Sequence, residues 1–137
     1  RRSELPVRPA VQRSRGVPTV KLTRSETIAF GKLMHEWQEK LNLNDWRIVK
    51  IRGTADAMCE VHVTYEDRLA AWRLGDWADE SRDHHELSTT ACHELLHVLL
   101  AELSALATSD AQATTEQVDA AEHRIINTIT RLLVPKV

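Results

Sequence analysis

The chain is short of several things, and each shortage narrows what it can be. It has only two cysteines, Cys59 and Cys92, in 137 residues. A disulfide framework is therefore not expected, and a reducing compartment is the simpler setting. It lacks long apolar runs: none is longer than the one from Val98 to Ala101. A transmembrane helix needs about 20 mainly apolar residues, so none is expected. No charged n-region followed by an apolar h-region opens the sequence, so a cytoplasmic location is the expectation. Internal repeats are absent too.

What remains is ordinary for one globular domain: 42% hydrophobic residues and 28% charged ones. The net charge of −2 is unevenly spread. Residues 1–24 hold seven Lys/Arg against the single acid Glu4, while the rest holds eleven Lys/Arg against nineteen Asp/Glu. Three of the four prolines also fall before Thr19. The expected division is a basic, flexible tail over residues 1–22 and one domain over 23–137. The charge of residues 1–24 also suits a nucleic-acid contact.

Beyond the tail, Thr23-Arg24-Ser25-Glu26 fits a capping box. Phe30, Leu33, Met34, Trp37 and Leu41 then fall on one helical face. Trp46–Arg52 reads as a strand. Cys59, Val61, Val63 and Tyr65 alternate with polar residues as a half-buried strand, and Arg68–Leu74 reads as a third. "GDWADESRDHH" reads as a polar connection. A helix is expected from about Glu86 to Leu106, with Asp83 as its cap, and a last one from about Thr115 to Leu133. The fold class is α+β: an N-terminal helix, a small and mainly antiparallel sheet, and two further helices.

The segment "ACHELLHVLLAEL" (Ala91–Leu103) is apolar nearly all round, as an interior helix would be, yet it carries His93, Glu94 and His97. Buried polar groups are costly unless they are paired or bound to a metal. His93 and His97 are four residues apart and share a face, so both imidazoles can reach one ion. Glu94 lies about 100° round the helix, off the ligand face but able to reach a water there. This is the HExxH arrangement.

A catalytic zinc needs a third protein ligand. The extended form of the motif would place a histidine at 103, where Leu103 stands. On the last helix the apolar stripe is Val118, Ala121, Ile125, Ile126, Ile129 and Leu132. Glu122 falls about 25° from its middle, against about 85° for Asp119, 125° for His123 and 145° for Glu116. Glu122 is the expected ligand, with His123 and Asp119 as alternatives.

His93-Glu94-Leu95-Leu96-His97 followed by a carboxylate on a later helix resembles the gluzincin arrangement of zinc metallopeptidases. Over residues 25–134 the layout looks like the minimal zincins: ImmA/IrrE-type, SprT-like, and small phage and prophage metallopeptidases. The resemblance implies a zincin-like domain with one catalytic Zn²⁺ held by His93, His97 and Glu122, and hydrolysis of peptide bonds in a protein or peptide substrate. Glu94 would be the general base. The substrate would lie along a sheet edge beside the HExxH helix, and Arg68–Leu74 is the expected edge. Tyr65 and His62 are candidate oxyanion donors, and Trp72 a candidate wall of the cleft. Cys92 and Trp77 read as packing residues, and His84 and His85 as solvated. The alternative function is a metal-stabilised binding or regulatory module without catalysis, DNA-associated through the tail.

Overall fold

The computed structural model describes residues 18–108 and 112–134. The basic stretch up to residue 17 lies outside them, so the expected tail contact does too. The described chain runs β1 (Thr19–Lys21), α1 (Arg24–Lys40), β2 (Arg47–Lys50), β3 (Cys59–Thr64), β4 (Leu69–Leu74), β5 (Asp76–Ala78), a short 3₁₀ turn (Asp79–Ser81), α2 (His84–Leu99), α3 (Ala101–Thr108) and α4 (Thr115–Leu133). It is an α+β fold.

The helix signals act as expected. The Thr23 hydroxyl accepts from the Glu26 amide at 3.1 Å, and the Glu26 carboxylate accepts from the Thr23 amide at 2.9 Å. This reciprocal cap satisfies two amides that the first turn of α1 would leave open. Asp83 caps α2 through the Glu86 amide at 2.8 Å. One face of α1 buries Phe30, Leu33 and Met34, and the helix packs along α2. Phe30 meets Trp72 and Trp77 edge-on, with ring centroids 5.3 and 5.9 Å away. These three rings tie α1 to both sheets.

The strands differ from the expectation in two ways. The pattern predicts one small, mainly antiparallel sheet, but the structure has two. β1 and β5 form an antiparallel pair from segments whose polarity reads as tail and connection. What holds them is Trp77, which is fully buried beneath the pair. Residues 19–21 therefore belong to the fold. The larger sheet has the order β2-β4-β3, with β2 parallel and β3 antiparallel to β4. β4 is thus the central strand.

The expected helix over 86–106 also divides. α2 and α3 are set at 42° to each other across Leu100. Each half follows its own partner: α2 lies on α1 and β3, and α3 lies against α4. Among the described residues, no single helix is long and apolar enough to cross a membrane.

Two glycines test the packing in opposite directions. A Cβ at Gly75 would lie 2.0 Å from the Ala57 carbonyl oxygen, because the 51–58 loop presses against it. At Gly31, inside α1, a Cβ meets nothing within 4 Å. Gly75→Ala should cost about 3 kcal/mol through overpacking. Gly31→Ala should stabilise by about 0.5–1 kcal/mol through a less flexible unfolded chain. Thermal unfolding at about 4 °C per kcal/mol reads both shifts. Equal effects at the two positions would mean that the loop does not press on Gly75.

Candidate metal centre and general base

α2 is not buried all round. Its buried residues are Leu87, Ala91, Glu94, Leu95 and Val98, on the side that meets α1 and β3. His93 is exposed and His97 half-buried. The ring centroids of the pair are 5.0 Å apart, with the planes at 80°. The four-residue spacing therefore brings two imidazoles together on a face that solvent can reach.

The misplaced polar group is Glu94. It is 8% exposed, and no hydrogen bond to its carboxyl occurs among the described residues. It faces β3, where the Cys59 thiol and the Glu60 carboxylate are its electrostatic neighbours. Burial raises its pKa to about 7, and the charge on Glu60 adds to the shift. The same surroundings push the Cys59 thiol up, first through burial and then through Glu94 and Glu60.

Glu60 is the participant that sequence reasoning passes over, since alternation places it simply on the polar side of β3. Burial works to raise its pKa, but the opposing contacts outweigh burial and leave it lowered. Its carboxylate accepts from the Asp56 amide at 3.0 Å and from Arg73 Nε at 2.9 Å, and His62 Nε2 lies 3.5 Å away. A carboxylate held ionised in this way stands beside one that burial pushes toward neutrality. The only sequence signal is an acid that pairing sets opposite a base, Glu60 against Arg73.

The substrate-side expectations need correction. β4 cannot offer an edge, because β2 and β3 occupy both of its sides. The edge beside α2 is that of β3, which pairs only with β4 among the described residues. Trp72 does not wall a cleft; it is 5% exposed and packs on Phe30. A tryptophan on a central strand fills the core by default. His62 projects from the sheet face opposite the one that carries Cys59, Val61 and Val63 into the core. Tyr65 lies tilted against Trp46 at 6.4 Å, with the Arg68 guanidinium 4.9 Å from its ring. Cys92 is half-buried, and burial raises its thiol against the pull of Lys40. His84 and His85 are exposed, as expected.

On α4 the inward face is turned away from the expected one. Ala121 and Thr128 are buried, with Val118 and Ile125 half-buried beside them. Ile126, Ile129 and Leu132 are exposed. Glu122 consequently lies about 80° from the packed face and is exposed, as are Asp119 and His123. Counting every isoleucine as inward draws the stripe toward Glu122. Thr128 escapes the count because it is polar, yet its hydroxyl is satisfied by donating to the Arg124 carbonyl at 2.9 Å. Arg124 grips Glu102 with two guanidinium nitrogens and fastens α4 to α3. No three His, Cys, Asp or Glu side chains are gathered as a metal requires among the described residues. The imidazole pair offers two donors of a type that zinc takes, but Glu122 is not drawn in beside it.

No family model, curated protein or solved structure matches the chain. The buried carboxyl gives a direct test. Its pKa is about 7 when folded against 4.5 as the ordinary value. Below pH 4.5 both states carry the proton, so nothing is lost. As pH rises from there to about 7 the unfolded state ionises first, and stability falls. At one pKa unit per 1.36 kcal/mol, the loss approaches about 3 kcal/mol above neutrality. Glu94→Gln should remove that loss in metal-free protein, giving a higher urea midpoint than wild type at pH 8 and little gain at pH 4. An equal difference at both pH values would show that Glu94 does not titrate high.

Proposed function

We propose that this chain is a zinc-dependent metallopeptidase that takes its substrate as an extended segment. The observation that carries the reading is Glu94: a buried carboxyl without a hydrogen bond among the described residues, one position from an accessible imidazole pair. Such a group lowers stability, and perturbed carboxyls of this kind cluster at functional sites. The reading also rests on the HExxH spacing and its resemblance to the minimal zincins.

In this proposal His93 and His97 hold the metal through ring nitrogens. Glu122 is the third ligand, which requires α4 to move its exposed apolar face toward α2; His123 and Asp119 are the alternatives on the same helix. Zinc, when bound, supplies Lewis acidity and lowers the pKa of water. Glu94 takes a proton from the attacking water and returns it to the leaving amine nitrogen. The packing of α2 on β3 leaves Glu94 only 8% exposed. The open edge of β3 receives the substrate as an added strand, its backbone amides and carbonyls satisfying those of the edge. A folded domain would not fit such an edge, whereas an unfolded segment would.

The experiment is hydrolysis of an unfolded, fluorescently quenched protein by zinc-loaded wild type and Glu94→Gln. The expected result is a loss of roughly 10²–10⁴-fold at unchanged zinc content. Undiminished turnover in Glu94→Gln would sink the mechanism. Wild type that holds zinc in a closed four-ligand site and never cleaves would mark a binding module instead. Metal analysis of His97→Ala and Glu122→Ala tests the ligand set: both should lose stoichiometric zinc. Full retention in Glu122→Ala would pass the third position to His123 or Asp119.

A further inference from the structure

β3 leaves a particular set of backbone groups open, and that set restricts what can be added to it. The Gly75 amide donates to the Met58 carbonyl at 2.9 Å, which fixes the phase of the β3–β4 ladder. Hydrogen-bonded pairs alternate along an antiparallel ladder, so Glu60, His62 and Thr64 turn their N–H and C=O toward β4. The far side of β4 keeps the same phase: the Trp72 and Leu74 carbonyls accept from the Ile51 and Ala55 amides at 2.8 and 3.1 Å. Cys59, Val61 and Val63 therefore turn their backbone groups outward, where no strand or turn meets them among the described residues.

These residues also carry the apolar side of the strand. Cys59 is buried, and Val61 and Val63 are half-buried against the core, on the side where α2 packs. Glu60, His62 and Thr64 project to the other side, where Glu60 holds Arg73. Open backbone groups and apolar side chains thus coincide on alternate residues. An antiparallel added strand, the more stable sense, hydrogen-bonds through its residues opposite Val61 and Val63. Side chains directly opposite each other share a face, so those residues also point theirs to the α2 side. The intervening residues turn their backbone groups to solvent and their side chains to the charged side.

We propose that the β3 edge selects strand-forming segments with apolar residues at alternate positions, as an unfolded protein exposes where a half-buried strand has come apart. This rests on the edge docking proposed above and adds the class of substrate. Each residue opposite Val61 or Val63 must bring both an apolar side chain and a backbone N–H. A charge there would be desolvated without a partner, and a missing N–H would leave an edge carbonyl unpaired. The residues between need neither.

The test is a titration of the metal-free full chain followed by amide NMR, so that binding is read apart from cleavage. The probes are capped peptides of about eight residues, the length of a strand, in which valine alternates with lysine. One isomer gathers the valines in a block. Two others are N-methylated, at the two central valines or at the two central lysines. The alternating peptide should shift the Val61 and Val63 amides saturably and slow their hydrogen exchange. The block isomer and the valine-methylated peptide should each bind at least about tenfold more weakly, and the lysine-methylated peptide less than about threefold more weakly. Val63→Pro removes one outward N–H at an edge, where proline is tolerated, and should weaken the alternating peptide about tenfold with a folded spectrum. If Val63→Pro unfolds, the methylated pair carries the same comparison. The proposal is overturned if the block isomer binds as tightly, if the two methylated peptides bind alike, or if the lysine-methylated one is the weaker. Binding in the expected pattern without cleavage by the zinc-loaded chain supports the edge selection and defeats the peptidase reading instead. Equal cleavage of the alternating and block peptides does the reverse.

Discussion

The constraint on which the rest depends is the desolvation of one carboxyl group. Glu94 sits at the contact of α2 with β3, where burial lifts its pKa to about 7. Any residue of similar shape without a charge would pack there at less cost. Leu95 and Val98 are buried on the same helix, Cys59 is buried on β3, and Glu60 is held ionised through Arg73 and the Asp56 amide. The same packing leaves His93 and His97 on the accessible side of the helix. The buried face of α2 thus includes Glu94, and its accessible side carries the imidazole pair.

The sheet is arranged to match. β4 fills the centre with Ala70 and Trp72, and Phe30 locks that centre to α1. β3 is thereby pushed to the edge that lies over α2. An edge strand is open to an added strand, and the outward charges of Glu60, Arg73 and His62 discourage casual pairing with another copy of the sheet. Openness and protection come from the same short strand.

Helix ends and the main core were legible in the sequence, because they follow from local rules. Thr23–Glu26, Asp83 and the Phe30–Leu33–Met34 face carry their own physical signals. The imidazole pair was legible for the same reason, since helical geometry fixes a four-residue spacing. What was not legible depended on partners far along the chain. β1 and β5 are three residues each and polar, and only the burial of Trp77 beneath them makes them strands. The centrality of β4 follows from pairing with β2, which no periodicity encodes. The turn of α4 about its axis rests on Thr128, whose polarity hides an inward position. The break at Leu100 reflects two different packing partners and no breaker residue.

The division between a charged and a neutral Glu94 bears most directly on this account. Carbon-13 labelling of the glutamate carboxyls allows the Glu94 resonance of metal-free protein to be followed against pH by NMR, with Glu94→Gln identifying the signal. The account predicts a midpoint near 7 for that resonance. A midpoint near the ordinary 4.5 would contradict it, because a solvated Glu94 would carry no stored cost for function to explain.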